Sequence, residues 1–351
     1  MTVSNNFVYD TIALVQVVPN LKQSQNWLLD RFFPNIVMSD SESVAIDVDV
    51  GKRRMSPFVS PLVEGKLVEQ RRIQTNEFKP AYIKDKRAPD LRKPVRRAIG
   101  EKIGGELTGE EREMANLESE MSDQLDMINR RLEWMAASAL TTGTVTISGE
   151  GFQTVVVDFG RDASLTVAKT GGATWTAANI KAGTASPTGD IEAWQLQVLK
   201  KSGAVMTDIV FTTSSWAGFL LDPALVGAIM YPKLADSGNN INNGPRIVTG
   251  AVYKGRWGNY DLWLYNDWYV DDVTNIEMPM LADGTVLMGG AALMGTRAFG
   301  QIIDPEFNYK ALPYAPKTWV EKDPAQRMIM LQSAPIVIPS RVNASLSAKV
   351  I

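Results

Sequence analysis

The stretch from Thr108 to Ala139 constrains the fold of this chain more than any other. Apolar residues recur at Met114, Leu117, Met121, Leu125, Ile128, Leu132, Met135 and Ala139. Their intervals alternate between three and four residues, which places them on one face of an α-helix. No proline interrupts the run. Thr108 followed by Glu111 has the spacing of a capping box, which satisfies free backbone donors at a helix start. Gly143 suits the left-handed residue that ends a helix. Acids crowd the beginning (Glu110, Glu111, Glu113, Glu118, Glu120), and Arg130 and Arg131 lie near the end. Both biases complement the helix dipole. Such a helix is roughly 48 Å long at ~1.5 Å per residue, which predicts a spine crossing a flat or elongated molecule.

The segment before it has the opposite character. Residues 51–102 hold 15 basic and 6 acidic residues, a net charge of +9, with arginine pairs at Arg53–Arg54, Arg71–Arg72 and Arg96–Arg97. Pro57, Pro61, Pro80, Pro89 and Pro94 forbid a long helix and favour extended chain or edge strands. Long excursions of this kind are usually functional or disordered. By contrast, residues 103–126 carry eight acids against Arg112 alone, and residues 260–283 carry six acids and no base.

Three readings of the basic excursion stand side by side. It neutralises nucleic-acid phosphates, although only Phe58, Phe78 and Tyr82 lie within it as stacking groups. It is a solvated loop. Or it finds its counter-charge on a neighbouring copy of the chain, because a strongly basic arm cannot lie on its own acidic helix and also project outward. The charge asymmetry favours the third reading. It predicts intersubunit contacts of Arg53, Arg54, Arg71, Arg72, Arg96 and Arg97 with residues such as Glu110, Glu111, Glu113, Glu118 and Glu120, through bidentate guanidinium–carboxylate pairs. Exposed pairs contribute little singly; repeated and desolvated at interfaces, they set register.

Composition narrows the chemistry. The 351 residues are 45% hydrophobic with a formal net charge of −3, enough for a core in one to three domains and with no global pull toward nucleic acid. There is no cysteine and no histidine, so disulfides, thiolate or imidazole metal sites, cysteine nucleophiles and histidine triads are excluded. No Walker A, G-x-G-x-x-G, G-x-S-x-G or S-x-x-K pattern is present. Asp47 and Asp49 share one face of a strand, without the loop of an EF-hand. Asp271 and Asp272, beside Trp263, Tyr265, Trp268 and Tyr269, have the residue types of a carboxylate-based hydrolase, but such aromatics more often serve core or interface. Asn343-Ala344-Ser345 is a glycosylation sequon. The expectation is a non-enzyme with no catalytic residue, cofactor or metal. The first lysine is Lys22, and the nearly apolar run Val286–Gly295 is far short of a membrane span. A soluble protein made in the cytoplasm, without a membrane partner, is expected.

The remaining elements read as α+β. Trp27, Leu28, Leu29, Phe32 and Phe33 form an apolar cluster ending at Pro34, and residues 44–50 alternate as a strand. Residues 144–160 read as a hairpin, and 161–190 as loop with short strands. Asp190 is expected to cap a helix over 191–201, and Ser215 another running to 230. Strands are expected over 206–211, 246–253, 260–270, 328–331 and 336–338.

The order of an extended basic arm, a long helix, a hairpin and a mixed body is that of the HK97-like capsid fold. The chain resembles the lambda-type (E family) phage major capsid proteins nearly end to end. The resemblance is carried by Ser56–Gly65, Thr75–Lys84, Arg130–Ala139, Thr144–Gly160, Gly171–Trp175, Asp190–Ala193, Pro316–Val320, Asp323–Ala325 and Gln332–Pro335. No single block is decisive; their order and spacing together are specific. The resemblance implies an N-terminal arm (1–45), an extended loop (46–106), a spine helix (107–143), a peripheral domain in two parts (144–190 and 295–351) and an axial domain (191–294). It implies a major capsid protein of a tailed double-stranded DNA bacteriophage, assembling through pentamers and hexamers into an icosahedral shell that encloses the genome. A nucleic-acid-binding protein using 51–102 is the alternative. Implied partners are scaffolding, portal and decoration proteins and packaged double-stranded DNA in non-specific contact. Assembly is expected in the host bacterial cytoplasm, and the final location is the virion. Because the chain opens directly into the arm, a separate scaffolding protein is expected.

Overall fold

A computed structural model describes residues 26–49, 55–67, 73–89, 108–149, 151–230, 240–241, 247–248, 250–272, 274–323 and 325–351. The chain enters at α1 (Trp27–Phe32) and β1 (Asn35–Met38), continues through the antiparallel pair β2 (Val44–Asp49) and β3 (Ile73–Phe78), and reaches β4 (Ile83–Arg87). Helix α2 (Gly109–Thr142) follows, 34 residues long. Its boundaries have local causes. Thr108 Oγ1 accepts from the Glu111 N–H at 3.3 Å, and the Glu111 carboxylate accepts from the Thr108 N–H at 2.7 Å. Gly143, at φ 75°, ends the helix with its N–H donating to the Ala139 carbonyl. Of the apolar stripe, Leu117 through Ala139 is buried, whereas Met114 is exposed.

After α2 come the hairpin β5 (Thr144–Gly149) and β6 (Phe152–Asp158), then β7 (Thr166–Ala168), α3 (Ala177–Lys181) and α4 (Pro187–Ser202). Next are β8 (Asp208–Phe211), α5 (Thr213–Leu220), α6 (Pro223–Met230), β9 (Asn240–Ile241), β10 (Ile247–Val248), β11 (Ala251–Trp257) and β12 (Tyr260–Tyr265). The hairpin β13 (Trp268–Val270) and β14 (Glu277–Pro279) leads to β15 (Thr285–Gly289) and β16 (Gly295–Phe299). The chain closes with β17 (Ala315–Lys322), β18 (Ala325–Ser333), β19 (Pro335–Pro339) and β20 (Leu346–Lys349).

Several local expectations change. The single strands expected over 246–253 and 260–270 are each two: β10 and β11 pair antiparallel, and β12 and β13 belong to different sheets. Helix α4 begins at Pro187, four residues before Ile191, because Ser186 caps it and proline fits the first helical position. Asp190 instead accepts from Trp175 Nε1 at 2.8 Å and Lys169 Nζ at 2.6 Å. The helix expected from Ser215 to 230 is two helices, since Pro223 disfavours helical geometry in the preceding residue. Thr212, not Ser215, is its cap, and Ser215 is the reciprocal partner of that cap. Residues 161–190 include α3 as well as loop and strand.

An eight-stranded mixed sheet runs in the order β10-β11-β12-β8-β15-β20-β7, with β9 paired to β11. It lies between two cores, and strand alternation sorts its side chains between them. Ile209, Phe211, Leu262, Val286 and Met288 face the core built with α4 and α5. Val210, Trp263, Tyr265 and Leu287 face the core built with α1 and α2. The sheet joins strands from segments 144–190, 191–294 and 295–351. Two three-stranded sheets flank it, β1-β16-β19 and β17-β18-β4. Helix α1 wedges against the turn before β16 so closely that a Cβ on Gly295 would collide with the Phe32 carbonyl and the Phe33 ring.

Candidate functional site

The basic and acidic residues proposed to meet between copies occupy different situations. Arg53, Arg54, Arg71, Arg72, Arg96 and Arg97 lie outside the described residues. Glu110 and Glu113 lie in the first turns of α2, and their side chains are likewise outside the description. Glu111 is committed to the capping box, and the bond from the Thr108 N–H holds its carboxyl below the usual range. Glu118 is exposed.

Glu120 is engaged within its own chain. Arg87, at the end of β4, places Nη1 at 3.1 Å from Glu120 and 2.5 Å from Asp123, with Nε at 3.3 Å from Asp85. Burial opposes the Arg87 charge, but the bonds to Asp123 and Glu120 outweigh it and raise the guanidinium pKa. Beneath this cluster the Gln124 side chain donates to the Asp85 carbonyl at 3.0 Å. The expectation that the basic excursion stays off its own helix therefore does not hold at Arg87. Strand β4 is sewn to β18 on one side and pinned to α2 by this cluster.

Residues 55–67 behave differently. Every one of them is exposed, and Met55, Phe58, Leu62 and Leu67 stand 90–103% open to solvent. Charge-based reasoning missed this apolar loop. The signal was in the sequence: apolar residues interleaved with Pro57 and Pro61 in a run with neither helical nor strand periodicity. Exposed large apolar patches mark interaction surfaces.

The hairpin β13–β14 is a second exposed surface. Trp268, Val270, Ile276 and Met278 are exposed beside Asp271, Asp272 and Glu277. Asp272 lies 3.0 Å from Arg131 of α2, whose guanidinium sits over the Trp134 ring. Asp271 Oδ1 accepts from the Thr274 N–H and closes the turn.

The hydrolase reading of Asp271 and Asp272 finds no support in this geometry. Trp263 and Tyr265 face the interior, where Trp263 Nε1 donates to Asp208 at 3.1 Å and the Tyr265 hydroxyl donates to Glu133 at 2.8 Å. Asn343 of the sequon accepts from the Asp162 N–H, and Ser345 is buried. Asp47 and Asp49 stand in β2, paired with β3. Among the described residues no group of three or more acidic side chains is placed to hold a metal ion, and no helix is long and apolar enough to cross a membrane.

A long helix, a mixed sheet between two cores and an exposed segment at 55–67 make up the α+β, HK97-like fold of phage capsid subunits. The fold of a protein assigned as the capsid protein of an Escherichia coli CFT073 prophage is similar, with a TM-score of 0.67 at 21% identity over 93% of this chain and 94% of that one. The chain belongs to the phage major capsid protein E family, whose model matches residues 10–350. It is 28% identical to the major capsid protein of Escherichia phage N15 over 347 residues, 97% of this chain and 99% of that protein. Its identity to the major capsid protein of Escherichia phage lambda is 29% over 336 residues, 94% and 96% of the two chains. These similarities do not favour the nucleic-acid-binding alternative. They make the protein a structural subunit of multimeric capsid shells, located in the virion.

Proposed function

We propose that this chain forms pentamers and hexamers that close an icosahedral head around double-stranded DNA, in the cytoplasm of a host bacterium. Portal, decoration and scaffolding proteins are its expected partners. The observation that carries the reading is the loop 55–67, whose apolar side chains find no cover among the described residues of their own chain. A lone subunit leaves that surface in water; a shell buries it on an adjacent subunit.

In this mechanism α2 and the sheet form the rigid part, with 107–143 as spine, 144–190 and 295–351 as peripheral domain and 191–294 as axial domain closing the rings. The arm (1–45) and extended loop (46–106) reach across boundaries. Apolar burial drives assembly, while the arginine pairs and acidic surfaces set register.

The test is electron microscopy of the overexpressed full chain, alone and with its neighbouring genes. Closed shells are expected; a chain that stays monomeric under both conditions overturns the reading. Replacing Arg71 and Arg72 with glutamate should reduce assembly while the subunit remains folded, and normal shells from that variant would remove the basic loop from the mechanism.

A further inference from the structure

Strand β1 is the outer strand of the sheet β1-β16-β19 and runs parallel to β16. All four of its residues are exposed, with Ile36, Val37 and Met38 at 57%, 43% and 54%. The backbone is open as well. The Ser39 N–H donates to the Phe299 carbonyl at 2.9 Å, and strand alternation turns the backbone groups of Val37 the same way, toward β16. Those of Ile36 and Met38 point outward, where no strand pairs with them among the described residues. Sheet edges are normally blunted by a charged side chain, a proline or a bulge. Asn35-Ile36-Val37-Met38 has no charge and no proline, and its register with β16 is unbroken. An apolar edge of this kind is a template for a further strand.

We propose that residues 11–18 of the same chain pair antiparallel with the outer edge of β1 and add a fourth strand to its sheet. The sequence Thr11-Ile12-Ala13-Leu14-Val15-Gln16-Val17-Val18 is uncharged and rich in β-branched residues, and Pro19 stops it. The reach and direction of the chain fit. The helix α1 and the steps on either side of it put Asn26 within roughly 21 Å of Asn35. The linker 19–25 spans up to roughly 27 Å when extended. A strand antiparallel to β1 ends beside Asn35, and the linker then returns along α1 to Asn26. That short tether gives the segment a high effective concentration at the edge, ahead of any segment of a separate copy.

The surface past Met38 fits the greater length of the segment. Asp40 accepts from the Ala311 N–H at 2.7 Å, and Tyr309 in the loop held there is 47% exposed. The four residues of β1 are thus followed by further apolar surface for the first half of the added strand to cover. Of the residues before α1, the pairing leaves 1–10 to cross to other subunits.

The chain contains no cysteine, so engineered thiols report without background. With Ile36 and Met38 bonded to the added strand, Val37 faces its partner in a non-hydrogen-bonded pair, at a Cα spacing of about 4.5 Å that a disulfide can bridge. In the full-length, unassembled subunit, V37C is combined in turn with L14C, V15C, Q16C and V17C. Mild oxidation should give an internal disulfide that is strong at one position and weak at its immediate neighbours, because successive side chains point to opposite faces. No internal disulfide, or equal yields at all four positions, overturns the pairing. Covalent dimers in its place mean that a second copy occupies the edge, and overturn the choice of occupant. If the variants do not fold, amide exchange is compared between the unmodified chain and one lacking residues 1–18. The Ile36 and Met38 amides should exchange about tenfold faster or more in the shortened chain, whereas the Val37 amide, turned toward β16, changes far less. Equal rates at Ile36 and Met38 in the two chains overturn the proposal.

Discussion

The Tyr265 hydroxyl donates to the Glu133 carboxylate at 2.8 Å, across 132 residues of chain. The same carboxylate accepts from the Leu28 and Leu29 N–H groups, each at 2.9 Å. Those two donors open α1, whose cap residue Asn26 makes no side-chain capping bond. Glu133 therefore acts as the cap of α1 from the middle of α2, and Tyr265 carries the link on to the sheet. Three segments far apart in sequence meet on one fully buried side chain.

Replacing Glu133 with alanine leaves two buried N–H groups and a buried hydroxyl without their acceptor. At about 1–3 kcal/mol for each unsatisfied buried group, with partial relaxation, the loss should be roughly 3 kcal/mol or more. Urea unfolding of the unassembled subunit measures it. A change below about 0.5 kcal/mol would mean that α1 is held by packing alone.

The same residue gives a pH dependence. Burial pushes the Glu133 carboxyl up to about 7, despite the bonds from Leu28, Leu29 and Tyr265 that favour its charge; the nearby Asp267 charge adds to the rise. The folded state thus holds this proton more tightly than the unfolded chain. Its contribution is full below about pH 4.5 and is lost as pH rises through about 7, a difference on the order of 3 kcal/mol. The carboxyls of Asp283 and Asp304 are depressed below the usual range, so their opposite effect falls at lower pH. The unassembled subunit should therefore melt higher at pH 5 than at pH 8, and E133Q should shrink that difference.

Arg87→Ala tests the seam between β4 and α2. Its side chain is 21% exposed and Glu120 is 19% exposed, so removing the cation takes a charge-assisted bond from a partly buried acid. A destabilisation of roughly 1–2 kcal/mol is expected, below the cost of breaking a fully buried pair. Amide exchange across β4 should quicken before that of α2. Unchanged exchange in β4 would show that its bonds to β18 suffice.

Phe58→Ser separates folding from assembly. The side chain is fully exposed in the subunit, so the unfolding midpoint should move by no more than about 0.5 kcal/mol in stability. Shell yield, counted by microscopy, should fall sharply. Unchanged yield would show that Phe58 is not buried between subunits.

Gly295→Ala is expected to lower stability by roughly 1–3 kcal/mol, because its Cβ would meet the Phe32 carbonyl and the Phe33 ring at the tightest approach of α1. Thermal melts of the unassembled subunit provide the comparison, with the open, solvent-facing Gly65→Ala as a control that should be nearly neutral.

Local physics decided much of this chain. Residues three and four apart determine whether a helix forms and which stripe it buries, so α2, its Thr108–Glu111 cap and its Gly143 end follow from residues 108–143 alone. The β5–β6 hairpin, the absence of thiol and imidazole chemistry and the nearly end-to-end match to the capsid family are also properties of the sequence. Glu133 shows where that logic stops. Its position reads as a polar residue in a helix, and nothing nearby announces that it lies buried beneath a helix start 105 residues earlier. Arg87 likewise reads as one charge of a basic arm until the fold brings Glu120 and Asp123 beneath it. The exposure of Phe58 and the outer edge of β7 are equally products of closure. They depend on which distant segments cover one another, and chain topology settles that through burial, not through any pattern within a short window.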